Sequence, residues 1–154
     1  MKKNLDRIDK SILRVLQRAG RISYTELAKK IGLSTTPCLE RVKRLEREGV
    51  IKGYSALIDP DCLKAGLVVF VSIRLARQPT DIFETFSMAA KNLAAVQECY
   101  LVSGNFDYLL KARVEDMPAY REFYGKTLLT LPGVVECTSY VVMEEIKDTI
   151  EIVT

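Results

Sequence analysis

Apolar residues recur at helical spacing from the start of the chain, through Ile8, Ile12, Val15 and Leu16, behind an Asp6 that can cap the helix they predict as far as Arg18, with Gly20 to end it. A second pattern opens with Ser23 and Glu26, spaced as a capping box, with Ile22 and Leu27 as its hydrophobic staple; it runs through Ala28 and Ile31 to a turn at Gly32. A third helix is predicted from Ser34 to Arg47. Ser34 caps it, Pro37 falls in its first turn where the missing N–H costs nothing, and Gly49 follows as a left-handed terminator. Residues 50–58 are β-branched and aromatic around Gly53 and predict a short strand pair, or wing. After the Asp59-Pro60 turn the period changes. Val69, Val71, Ile73 and Leu75 alternate as a strand, and Thr80 can cap a helix through Ile82, Phe86, Ala89 and Leu93. Residues 96–102 predict a strand, residues 108–114 another, Asp116 caps a helix up to Pro132-Gly133, and residues 134–143 form the last strand.

The fold class follows: α+β, with an N-terminal winged helix-turn-helix and a C-terminal ferredoxin-like βαββαβ domain. The predicted boundaries are 1–58, a linker at 59–66, and 67–154. A split sheet of this kind carries helices on one face. Val69, Val71 and Ile73 are therefore expected to bury against a second sheet, as a homodimer.

The third helix has two sides. Cys38, Val42 and Leu45 face inward; Thr36, Glu40, Lys43, Arg44 and Arg47 lie opposite, with Thr35 and Arg41 on the flanks. An ordinary amphipathic hairpin with a solvated charged face would look the same as a DNA-reading pair. Charge placement decides between them. Residues 1–53 hold 14 Lys and Arg against 6 Asp and Glu, a net +8, while residues 54–154 hold 9 against 14, a net −5. A basic first third that carries a helix-turn-helix pattern is the electrostatic footprint of a double-stranded DNA reader. The expected contacts are Ser34, Thr35, Thr36, Glu40, Arg41, Lys43, Arg44 and Arg47, with Thr36 and Arg44 discriminating bases and Arg41 and Lys43 holding phosphates.

Composition changes the picture mainly by exclusion. With 48% hydrophobic and 28% charged residues, the chain reads as a globular protein and not a disordered one. It has no membrane-length apolar run, and its opening Met-Lys-Lys-Asn lacks a leader's apolar core, so a cytoplasmic, nucleoid-associated location is expected. There is no His, and Cys38, Cys62, Cys99 and Cys137 are widely spread, which removes zinc spacing and the commonest general base; no metal, no cofactor and no catalysis are expected. Glu144-Glu145 point to opposite faces of a strand, the glycines are too dispersed for a phosphate loop, and Cys38 reads as core.

Five stretches carry a resemblance: Leu-Asp-Arg-Ile-Asp from Leu5, Gly-Arg-Ile-Ser from Gly20, Thr-Pro-Cys-Leu-Glu-Arg-Val from Thr36, Leu-Val-Ser-Gly-Asn-Phe-Asp-Tyr-Leu-Leu from Leu101, and Tyr-Val-Val-Met-Glu-Glu from Tyr140. The chain resembles the Lrp/AsnC family of transcription regulators over nearly its whole length. That resemblance implies a sequence-specific DNA-binding homo-oligomer, a homodimer assembling to an octamer, modulated by a free amino acid such as leucine or alanine bound between dimers. Positions resembling Leu101, Asp107, Met117, Tyr140, Val141 and Val142 are associated in the family with the ligand response. Read from the residues alone, Gly104-Asn105 is either a plain strand turn or a place where a ligand carboxylate approaches the backbone while Asp107 meets its ammonium. An architectural DNA-coating protein without ligand response, and an enzyme's regulatory module, remain as readings of other classes.

Overall fold

The computed structural model describes residues 4–78 and 80–154; Met1, Lys2 and Lys3, which open the stretch read for a leader, lie outside them. The chain forms two compact units, one comprising the chain up to Leu57 together with Lys147–Thr154, the other Ile58–Ile146.

The first unit holds three helices, α1 (Arg7–Arg18), α2 (Tyr24–Ile31) and α3 (Thr35–Arg47). Local chemistry sets their ends. Asp6 and Asp9 form a capping box at the start of α1, Ser23 and Glu26 form one at the start of α2, and Gly32 closes α2 at φ 73°. Ser34 occupies the cap position of α3 without the side-chain hydrogen bond expected of it, and α1 ends at Ala19, one residue before the expected glycine. Ile12, Leu27, Ala28, Cys38, Val42 and Leu45 form the fully buried centre, with Ile22, as its staple to Leu27 requires, and Leu33 packed around it. The strand pair of the wing is a correction. No strand forms over residues 50–58: Val50 and Ile51 pack on the helices, the Tyr54 hydroxyl donates to Glu46 Oε1 at 2.8 Å, and Leu57 and Ile58 stand exposed. An extended segment becomes a strand only when another backbone pairs with it, and here none does. Lys147–Thr154, read as the end of the second domain, packs with the first unit instead: Gln17 exchanges hydrogen bonds with the Ile152 backbone at 2.6 and 3.0 Å, and Arg18 pairs with Glu151 at 3.1 Å.

The second unit contains β1 (Leu67–Leu75), α4 (Ile82–Lys91), β2 (Val96–Leu101), β3 (Tyr108–Val114), α5 (Met117–Lys126) and β4 (Val134–Val141). The antiparallel sheet has the order β2-β3-β1-β4, as a βαββαβ chain requires. Asp116 caps α5 through the Ala119 N–H, whereas α4 is preceded by Asp81 rather than Thr80 and has no side-chain cap bond. Gly133 turns at φ 73° into β4, where an added Cβ would lie 2.2 Å from Ile82 Cγ1, so both backbone and space demand glycine.

The faces of β1 are the second correction. Val69, Val71, Ile73 and Leu75 are buried beneath the helices, in one core with Phe86, Tyr108, Leu110, Tyr120 and Leu128. They are covered within the chain. The face away from the helices carries the alternate positions, Phe70 and Ser72 of β1, Leu109 and Lys111 of β3, Tyr100 of β2 and Tyr140 of β4, as the register shows; Ser72 is buried, Phe70, Leu109 and Lys111 are partly covered, and Tyr100 and Tyr140 stand exposed. A period of two states that the faces differ; it does not say which faces the helices when both carry apolar residues.

Candidate functional site

On α3 the residues Ser34, Thr35, Thr36, Glu40, Lys43 and Arg47 are exposed, and Cys38, Val42 and Leu45 are buried beneath them. Ser34, at the start of this face, spends no hydroxyl on capping, so its oxygen is available to a ligand. Arg41 and Arg44 stand apart from this surface. Arg41 Nη1 donates to Asp6 Oδ2 at 2.6 Å and to Asp9 Oδ1 at 2.8 Å, and Arg44 Nη2 donates to Asp9 Oδ2 at 2.6 Å. Asp9 is 1% exposed. Both arginines are thereby paired with carboxylates at the N-terminus of α1, so the base-reading role expected of Arg44 and the phosphate role expected of Arg41 would require these ion pairs to open. Hydrogen bonding to these carboxylates raises the guanidinium pKa of Arg41, chiefly through Asp6, and that of Arg44, through Asp9. Sequence reasoning missed the role of Asp9, because its partners lie on α3. The available signal was an acid one turn before Ile12 on an otherwise apolar stripe, with two arginines at i and i+3 on another helix.

Asp6 titrates below its ordinary value of 3.8, held down first by the backbone N–H of Asp9 and then by Arg41. Its contribution is thus fully present above that ordinary value and is lost as pH falls through the lower folded value. Thermal melts should show the first unit losing stability below about pH 4, and Asp6→Asn should flatten that part of the profile; an identical profile in the mutant would contradict this role.

In the second unit, the Ser103–Tyr108 turn projects from the β2–β3 connection. Gly104 and Asn105 are exposed, but Asp107 is buried: Oδ2 accepts the Leu75 N–H at 2.8 Å and Oδ1 accepts from Arg77 Nη1 at 3.2 Å. The Asp107 backbone continues the pairing, its N–H donating to Ile73 O at 2.9 Å and its carbonyl accepting from Val102 N at 2.9 Å. The carboxylate expected to meet a ligand's ammonium is therefore engaged within the chain, and Arg77, the partner unforeseen in the sequence, supplies its counter-charge.

The remaining residues separate into two places. Asn105 and Tyr140 line a small polar pocket of about 80 Å³ with Ser72, Arg74 and Glu136, on the open face of the sheet. Met117 lines a cavity of about 650 Å³ on the helix side, with Pro118, Tyr120, Arg121, Tyr124 and Ser139. There the Tyr120 hydroxyl and Ser139 Oγ are 2.6 Å apart, and burial raises the Tyr120 pKa. Leu101, 65% exposed, ends the edge strand β2, and Val141 lies on the opposite edge strand in the row of Val69, Ala112 and Val96, four residues along β1 from the row of Leu101. The Val142 N–H extends the β4 pairing to Val68 O at 3.0 Å. One chain does not gather Leu101, Gly104, Asn105, Asp107, Met117, Tyr140, Val141 and Val142 into one pocket. Sequence reasoning missed Arg121, Tyr124 and Ser139, because α5 and β4 meet only in the folded sheet.

Among the described residues no group of His, Cys, Asp and Glu could hold a metal ion, and no helix is long and apolar enough to cross a membrane.

A three-helix unit with a cationic, threonine-led helix, followed by a βαββαβ unit, has the two-part architecture of a DNA-binding transcription regulator. The winged helix-turn-helix DNA-binding profile matches residues 5–52 and the Lrp/AsnC ligand binding domain profile matches residues 68–152. The chain belongs to the Lrp/AsnC family. It is 61% identical over 145 residues to the leucine-responsive regulatory protein of Escherichia coli K12, covering 94% of this chain and 88% of that protein. A transcriptional regulator of Neisseria meningitidis, solved as a complex with L-methionine, superposes with a TM-score of 0.92 at 37% identity, over 97% of this chain and 96% of that one. An AsnC family regulator of Agrobacterium tumefaciens gives 0.91 at 40% identity, over 96% and 95%.

Proposed function

We propose that this regulator reads pseudo-palindromic double-stranded DNA with the exposed face of α3, and that a small amino acid bound where dimers meet alters that reading. The carrying observation is the composition of that face. Thr35 and Thr36 stand at its N-terminal end, short and polar enough to approach base edges, while Lys43 and Arg47 stand exposed further along, where phosphates would run. The amino-acid effector is supported by the names of the relatives, one leucine-responsive and one solved with L-methionine, and by the dispersal of the expected effector residues over both sheet faces. A site that uses residues from both faces takes them from more than one chain, which suits a homodimer assembling to an octamer in the cytoplasm.

The test is quantitative DNA binding by the full chain across a salt series, with and without leucine, alanine and methionine. Lys43→Ala and Arg47→Ala should each weaken all sequences alike and reduce the slope of log K against log salt by about 0.9. Thr36→Ala should instead relax discrimination at one base pair, by about 1 kcal/mol. Wild-type slopes in both cation mutants would reject α3 as the reading helix, and indifference to all three amino acids would favour an architectural coating role.

A further inference from the structure

Four charges meet between α1 and α3 with none left over. Asp6 and Asp9 supply two negatives, Arg41 and Arg44 two positives, and the contacts run at 2.6, 2.8 and 2.6 Å. Asp9 is the hub: each of its oxygens takes one arginine, and Oδ2 also accepts the Asp6 N–H at 3.2 Å, while the residue is 1% exposed. The arginines are not themselves deeply buried, for their side chains keep 30% and 36% of their exposure. They share α3 with the exposed Lys43 and Arg47. α3 carries four cations, Arg41, Lys43, Arg44 and Arg47, and this cluster neutralises half of them.

We infer that Asp9 is a positioning residue that withholds Arg41 and Arg44 from DNA, so that the helix meets the duplex with Lys43 and Arg47 as its cations and its neutral threonines decide between sequences. The physical reason is that phosphate contacts are indifferent to sequence. Each additional phosphate neutralised strengthens binding to every site alike and raises the salt dependence, without favouring the correct site. A cation held by a buried carboxylate adds nothing to that indiscriminate share. The same clamp fixes the rotation of α3 about its axis, because Arg41 and Arg44 leave the helix one turn apart and are gripped by one carboxylate. The inference rests on α3 being the DNA-reading helix.

Asp9→Asn keeps the shape and removes the charge. Binding of the full chain to a specific and to a scrambled duplex should be measured from low to moderate salt. The mutant is expected to bind the scrambled duplex more tightly, to steepen the salt slope by about 0.9 to 1.8 as one or both arginines reach phosphates, and to lose roughly tenfold in the ratio of specific to non-specific affinity. A purely structural Asp9 would lower the melting temperature and weaken both duplexes with the slope unchanged, which would overturn the proposal. Asp9→Asn combined with Arg44→Gln should bring the slope back towards wild type. Should Asp9→Asn fail to fold, Arg44→Gln in the otherwise wild-type chain decides: an arginine withheld by Asp9 makes no phosphate contact, so the slope should stay at the wild-type value, whereas a slope reduced by about 0.9 overturns the proposal. Wild-type slopes in Lys43→Ala and Arg47→Ala would show instead that the reading helix is misassigned. Normal losses in those two, with no change in Asp9→Asn, would place the failure in the withholding role alone.

Discussion

Phe70→Asp is expected to turn the proposed dimer into a monomer at low micromolar concentration while leaving the second unit folded. Phe70 lies on the open face of β1, paired across the sheet with Lys111 of β3 and Tyr140 of β4, and it is not part of the core beneath the helices. Tyr100 and Tyr140, each 53% exposed, widen the apolar area around it. Those side chains are the part of the sheet that this chain leaves uncovered, and a second copy related by a twofold axis offers the same surface. Burying a carboxylate in the middle of such an interface costs several kcal/mol, and symmetry places two of them there. A loss of at least about 4 kcal/mol is a thousandfold in the dimer constant. Specific DNA affinity should then fall about 100-fold or more, since each monomer engages one half-site without the effective concentration its partner supplies. Sedimentation and gel shift should change together, with far-ultraviolet circular dichroism preserved. A Phe70→Asp protein that remains dimeric would move the interface away from this face.

The contrast between Phe70 and Val71 shows what a single sequence can carry. Signals that act within one turn of chain were legible: the Asp6 cap, the capping box of Ser23 with Glu26, the turn at Gly32, the Asp116 cap, and the bounds of the strand at residues 108–114. Signals that depend on a distant backbone were not. Both faces of β1 are apolar enough to be core, so only the positions of α4 and α5 decide that Val71 is covered and Phe70 is not. Residues 50–58 have strand composition but no neighbour to pair with. The charges of Arg41, Arg44 and Asp107 are visible in the sequence, whereas their partners within the chain, 30 to 35 residues away, are not. Lys43 and Arg47, whose exposure follows from the helical period alone, were placed correctly on the outer face.

Asp107 then separates two kinds of role, and its substitutions should differ sharply. Asp107→Ala removes the acceptor of the buried Leu75 N–H and the counter-charge of Arg77. An unsatisfied buried donor costs about 1 to 3 kcal/mol, and the loss falls where the Ser103–Tyr108 turn is fixed to β1, because the Asp107 backbone also bonds to Ile73 and Val102. Ligand affinity should fall more than about tenfold through displacement of the turn, while DNA affinity without effector stays near wild type. Asp107→Asn keeps an oxygen for the Leu75 N–H and gives up only the charge facing Arg77, whose side chain is 75% exposed and can return to water at little cost. If Asp107 holds the turn, the Asn protein should bind the amino acid within about fivefold of wild type, a change of roughly 1 kcal/mol. If its carboxylate meets the ligand's ammonium directly, Asn should be as damaging as Ala, because the charge and not the shape is then what the ligand needs. The contacts to Leu75 and Arg77 favour the first outcome. Calorimetry of the two mutants with leucine, alanine and methionine, alongside their melting temperatures, distinguishes them: equal loss of binding in both, with the Asn protein as stable as wild type, would return Asp107 to the ligand.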